Sequence, residues 1–115
     1  MKENKVKDKS FAFAVRIVNL YRFLCADKKE FVISRQVLRS GTAVGALVRE
    51  AEQAESKPDF IHKMAIALKE ANETEYRILL RQQTGYLNAN ESESVIKDNK
   101  ELLKLLTNTM RCRMA

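Results

Sequence analysis

This chain of 115 residues is poor in the residues that bend or crosslink a polypeptide. It has 3 glycines and 1 proline, too few turn-formers for the many short strands of an all-β fold. Its one histidine is His62. No zinc set of usual spacing, and no Ser/His/Asp or Cys/His arrangement, can be assembled without that single residue. Neither a G-x-x-x-x-G-K-[ST] nor a G-x-G-x-x-G pattern occurs, so a nucleotide cradle has no support and no cofactor is expected. The 2 cysteines, Cys25 and Cys112, lie far apart with no Cys-x-x-Cys. The start Met1–Lys9 is lysine-rich like a signal n-region, but Arg16, Asn19 and Arg22 break the apolar stretch behind it and no small-residue cleavage site follows. Two free thiols in a reducing cytoplasm are therefore expected. No apolar run approaches the ~20 residues of a membrane helix.

What is abundant is Ala, Leu, Glu, Lys and Arg. Hydrophobic residues make up 45% and charged residues 31%, with a formal net charge of +6. At roughly 100–200 residues per domain, residues 1–115 are one domain. A domain of this size buries roughly 65% of its unfolded surface, enough for a core. The charge balance suits an acidic partner such as nucleic acid, although charge bears on association and not on fold.

Four segments show helical periodicity. The first, about 10–26, is apolar nearly all round, with Arg16, Asn19 and Arg22 forming one narrow polar strip. About two-thirds of its circumference is apolar, whereas a surface helix needs a stripe of little more than ~100°. The excess points to a neighbouring subunit, with Phe13, Ile17, Leu20 and Leu24 as the oligomer contact. Asp27–Glu30 is a charged loop. The second helix, about 34–54, starts at Ser34 as N-cap and carries a seam of Val37, Gly41, Val44, Val48 and Ala51. Gly41 and Gly45 cost a helix roughly 1 kcal/mol each, so another element is expected to pack closely on them. Ser56, Pro58 and Asp59 open the third helix, 57–83, with Gly85 as its stop. Its inward stripe includes Ile61, Met64, Ala65, Leu68, Ala71, Ile78 and Leu79. Asn90–Glu93 opens the fourth, about 91–112, with Val95, Ile96, Leu102, Leu103, Leu105, Leu106 and Met110 inward. Long helices with short loops give an all-α, up-down-up-down antiparallel four-helix bundle.

Chemistry is sparse. His62 is expected to be an ordinary helix histidine. Glu70, Glu73 and Glu75 lack the Glu-x-x-His pairs of a di-metal bundle and are expected to be solvated or salt-bridged. Glu50 is expected to pair with Arg77 or Arg81 for structural specificity. The basic residues say more. Arg35, Arg39 and Arg49 occupy i, i+4 and i+14 of the second helix, on one face with Thr42, Ala46 and Gln53 and no acid among them. Such a stripe suits phosphates. No aromatic is interleaved with it, so base stacking is not expected. Lys2, Lys5, Lys7 and Lys9 add charge near the N-terminus, diluted by Glu3 and Asp8.

The stretches Leu38-Arg39-Ser40-Gly41-Thr42-Ala43-Val44-Gly45-Ala46-Leu47-Val48-Arg49-Glu50-Ala51, Pro58-Asp59-Phe60 and Ala65-Ile66-Ala67-Leu68-Lys69-Glu70-Ala71-Asn72-Glu73-Thr74-Glu75-Tyr76 resemble the bacterial four-helix bundle proteins encoded in intervening sequences of 23S ribosomal RNA genes. That family looks related to the accessory variability proteins of diversity-generating retroelements. Its Asn-Ile-x-Glu-Gly segment reads Leu47-Val48-Arg49-Glu50-Ala51 here, and no Trp follows Glu75.

The resemblance implies a four-helix protomer in a homopentameric ring, nucleic-acid association and no enzyme activity. The expectation is therefore a non-enzymatic homo-oligomer that binds RNA or DNA through Arg35, Arg39 and Arg49. The alternative is a scaffold that binds a protein partner through the same surface. Metal or acid/base catalysis has too few parts.

Overall fold

The computed structural model describes residues 2–114, with side chains from residue 5 to residue 114. It consists of α1 (Lys2–Ala26), α2 (Val32–Glu52), α3 (Lys57–Gln83) and α4 (Ala89–Met114). α1 packs on α2 and α4, and α3 packs on the same two, while among the described residues the backbones of the diagonal pairs do not approach closely. This is the expected antiparallel four-helix bundle, 44 Å long and about half as wide.

The expected second-helix seam holds throughout: Val37, Gly41, Val44, Val48 and Ala51 are all buried. The two glycines set the approach of α1. A Cβ on Gly41 would stand 2.8 Å from Ile17, and one on Gly45 would stand 3.3 Å from the Ser10 carbonyl. On α3, Met64, Ala71 and Ile78 point inward, together with Phe60, Ala67 and Thr74. Ala65 and Leu79 are exposed instead, because each lies one position off that stripe. Two polar links cross the interior. Thr74 donates to the Ser40 hydroxyl at 2.9 Å, and the Asn99 amide donates to the Ala71 carbonyl at 2.9 Å.

Three helix starts differ from expectation. α1 begins eight residues before Ser10, since Val6 is buried and continues the heptad of Phe13 upstream. Ser10 is no cap; its hydroxyl donates to the Lys7 carbonyl at 3.0 Å. α2 begins at Val32 rather than Ser34. Its capping group is Glu30, which accepts the Ile33 amide at 2.9 Å, the Ser34 amide at 2.8 Å and the Ser34 hydroxyl. α4 uses Asn88 and Glu91, each accepting the other's backbone N–H at 2.8 and 2.9 Å, two positions before the expected pair. Leu87, buried just ahead of them, anchors the entry.

The start of α3 is as expected. The Asp59 amide donates to the Ser56 hydroxyl at 3.2 Å, and Pro58 sits in the first turn. Gly85, at φ 86°, ends the helix. Cys25 and Cys112 are free thiols near the C-termini of the antiparallel α1 and α4, hence at opposite ends of the bundle. Among the described residues, no helix is long and apolar enough to cross a membrane.

Candidate nucleic-acid interface

Arg35 stands in the first turns of α2 and is exposed, as are Phe31 and Val32 just before it. Together with Gln36 and Arg39 they line an open groove. Among the described residues, no carboxylate lies within ion-pair distance of Arg35. Arg39 is different. Its guanidinium reaches across to α3, 3.7 Å from Glu70 and 3.9 Å from Glu73. The acid-free stripe of the second helix therefore does not stay acid-free in the fold, because the neighbouring helix supplies the carboxylates. Arg49 lies on the other flank, its guanidinium 5.9 Å from the Phe11 ring of α1. The structure thus brings Arg35 and Arg39 together and sets Arg49 apart, roughly 15 Å along the axis from Arg39 at 1.5 Å per residue. The side chains of Lys2 and Glu3 lie outside the described residues. Lys7 pairs with Glu52 at 3.5 Å and Lys9 with Glu101 at 3.0 Å.

A second groove continues the first on the α3 side, lined by Gln36, Asn72, Glu73, Tyr76, Arg77 and Leu80. Arg77 joins the two helices: it pairs with Glu73 at 3.6 Å and donates to the Gln36 carbonyl at 3.4 Å. Phe31, Tyr76 and Arg77 were not legible as site residues. Tyr76 and Arg77 come beside Gln36 of α2 only through the α2–α3 register, for which no local pattern exists, whereas Phe31 lines its groove with Arg35 and Arg39 of the same helix end.

The proposed oligomer contact is corrected by the packing. Phe13, Ile17 and Leu24 are 3%, 0% and 0% exposed within the single chain, and Leu20 packs against the same core. Phe13, Ile17 and Leu24 have almost no surface to give to a second subunit, and Leu20 is partly buried. Their helix is widely apolar because it faces both α2 and α4. The large apolar side chains that α1 leaves outside are Phe11 and Val15.

The ion-pair expectations also shift. Glu50 pairs with Lys63 at 3.2 Å, not with Arg77 or Arg81. Arg81, 1% exposed, instead holds Glu30 at 3.0 Å, and its guanidinium lies 5.3 Å from the Tyr86 ring. Burial pushes the Glu30 carboxyl up. The hydrogen bonds from Ser34 and Ile33, with the charge of Arg81, outweigh that and hold it below its ordinary value. Glu75 pairs with Lys100 at 3.6 Å, so Glu70, Glu73 and Glu75 are all salt-bridged. His62 is exposed. Among the described residues, no three His, Cys, Asp or Glu side chains are placed to hold a metal ion.

A family model described as 23S rRNA-intervening sequence protein matches residues 2–108. The chain belongs to that family. The crystal structure of a protein of unknown function from the S23 ribosomal protein family of Bacteroides thetaiotaomicron is similar to it, with 58% identity over 96% of this chain and 99% of that one, at a TM-score of 0.95. No curated protein matches it. The resemblance drawn from the helix-two and helix-three stretches thus holds at the level of the family and the fold.

Proposed function

We propose that this chain is a non-enzymatic, cytoplasmic homo-oligomer that binds nucleic acid through the basic edge of α2 where it borders α3. The observation that carries this reading is Arg35: an exposed guanidinium, without a carboxylate partner among the described residues, beside Arg39 in an open groove. The net charge of +6 acts in the same direction. Phosphate contacts of this kind position a polyanion and do not read its sequence. In an oligomer the edge is repeated, which raises avidity without any new contact. The homopentamer and the kinship with the accessory variability proteins of diversity-generating retroelements belong to this reading, on the strength of the family resemblance. The exposed Phe11 and Val15 of α1 replace Phe13, Ile17, Leu20 and Leu24 as the residues assigned to the subunit contact.

The test is a gel-shift series against structured RNA and duplex DNA at two salt concentrations. Arg35→Gln/Arg39→Gln is expected to weaken binding and to flatten the salt slope by about 1 per lost phosphate contact. Arg49→Gln is expected to do less, since it lies away from the groove. Absence of binding by the parent at low salt overturns the reading. Light scattering is expected to give a multiple of 13.2 kDa.

A second reading, a protein-interaction scaffold, rests on a specific observation. Arg39 and Arg77 are already engaged by carboxylates, while Phe31 and Val32 leave apolar surface open at 50% and 73% exposure. A salt-independent partner and no affinity for polyanions would favour it.

A further inference from the structure

We infer that the α2–α3 groove takes a single-stranded nucleic acid, whose bases stack on Phe31 and Tyr76 while Arg35 and Arg39 hold its phosphates. This rests on the polyanion reading above and adds the strandedness of the ligand. The two rings are among the most exposed large apolar side chains of the protein, at 50% and 67%. Neither contributes to the core. They frame one continuous surface: Phe31 lies in the groove with Arg35 and Arg39, Tyr76 in the groove with Arg77, and Gln36 belongs to both.

The register places the rings. Ser40 meets Thr74, Gln36 meets Arg77, and Glu30 meets Arg81. Tyr76 therefore stands level with the second turn of α2, and Phe31 lies roughly 9 Å further along the axis at 1.5 Å per residue. Between the two rings lies the side-chain amide of Gln36, and that of Asn72 lies one turn beyond Tyr76 in the same groove; both donate to and accept from base edges. Glu73 is the one acid in the groove, and it is held by Arg39 and Arg77.

Arginine beside exposed aromatics is the combination that single-strand binders use, because every base offers a π-face and every linkage a charge. A closed duplex keeps its bases stacked on one another and has no use for the rings. An acidic peptide would satisfy the arginines but would leave the rings and the amides without matched partners.

The experiment measures fluorescence anisotropy with a labelled 12-nucleotide single-stranded RNA and the corresponding duplex, at low and moderate salt. The proteins are the parent, Phe31→Ala/Tyr76→Ala, Tyr76→Phe and Arg35→Gln/Arg39→Gln. The parent is expected to prefer the single strand. The double alanine variant is expected to lose at least about tenfold on the single strand, with duplex affinity and thermal transition unchanged. Tyr76→Phe is expected to bind like the parent, and the arginine variant to lose on both ligands. If the arginine variant loses affinity while the double alanine variant does not, stacking is overturned and the polyanion reading stands. If the parent binds neither ligand, both fall. If polyglutamate competes as well as the oligonucleotide does, the groove is a general acidic-chain site and the inference is overturned.

Discussion

The start of α3 and the start of α2 are built in opposite ways. Before α3, every part lies within four positions: Ser56 caps the Asp59 amide, Pro58 sets the first turn, and the Asp59 carboxylate accepts the Glu55 amide at 3.3 Å. Before α2, the cap is Glu30, and its carboxylate is shared between the first turn of its own helix and Arg81, 51 positions later. One corner is closed by neighbours in sequence and stays wet. The other is closed by the fold and is dry, with Arg81 wholly buried. A local cap contributes what a helix end needs. The Glu30–Arg81 pair also fixes how the α1–α2 corner meets the end of α3. Lys29 prepares it: its left-handed φ of 56° lets the Glu30 amide return to the Leu24 carbonyl at 3.2 Å, which aims the Glu30 side chain inward.

Breaking the dry corner should have the largest effect. Arg81→Ala leaves Glu30 half of a buried pair, and a loss of about 3–5 kcal/mol is expected in urea unfolding monitored by circular dichroism. An unchanged midpoint would place the pair among surface contacts. Protonation attacks the same pair more gently. Because the folded-state value of Glu30 is lowered, its contribution is present above the ordinary glutamate range, near 4.5, and is lost as pH falls through the folded value. The stability difference between the parent and Glu30→Gln is therefore expected to shrink steadily below about pH 4.5. A difference independent of pH across that range would contradict the role given to the carboxylate.

The wet corner should respond less. Ser56→Ala is expected to cost about 1 kcal/mol, with no change in pH dependence. The smallest effect belongs to the backbone that leads into the dry corner. Lys29→Gly relieves the left-handed strain and is expected to raise stability by at most about 1 kcal/mol, since glycine also loses more entropy on folding. Thermal melts of the four variants side by side rank the two corners directly.

The same division runs through the candidate site. Arg35 and Arg39 are visible as one turn of a basic face, because helical spacing is a local property. That Arg39 would be met by Glu70 and Glu73, and that Tyr76 would join Phe31 across Gln36, depends on how α2 and α3 slide along each other. Repeated small and apolar residues specify that two helices pack, but the register emerges only when Ser40, Thr74, Glu30 and Arg81 find partners together. The α1 contact failed for a related reason. A helix between two neighbours is apolar on nearly as much of its surface as one that faces a second subunit, and composition cannot distinguish them.

By itself the sequence determined the number of helices, the inward seam of α2, the need for a close neighbour at Gly41 and Gly45, the ends of α3, and the family. All of these follow from periodicity, capping and close packing, which act over a few residues. Only the tertiary structure decided which charges are spent within the bundle and which remain outside. A carboxylate's partner is chosen by distance in space, and electrostatic attraction between Glu30 and Arg81, or between Arg39 and Glu73, has no signature until the helices that carry them are side by side.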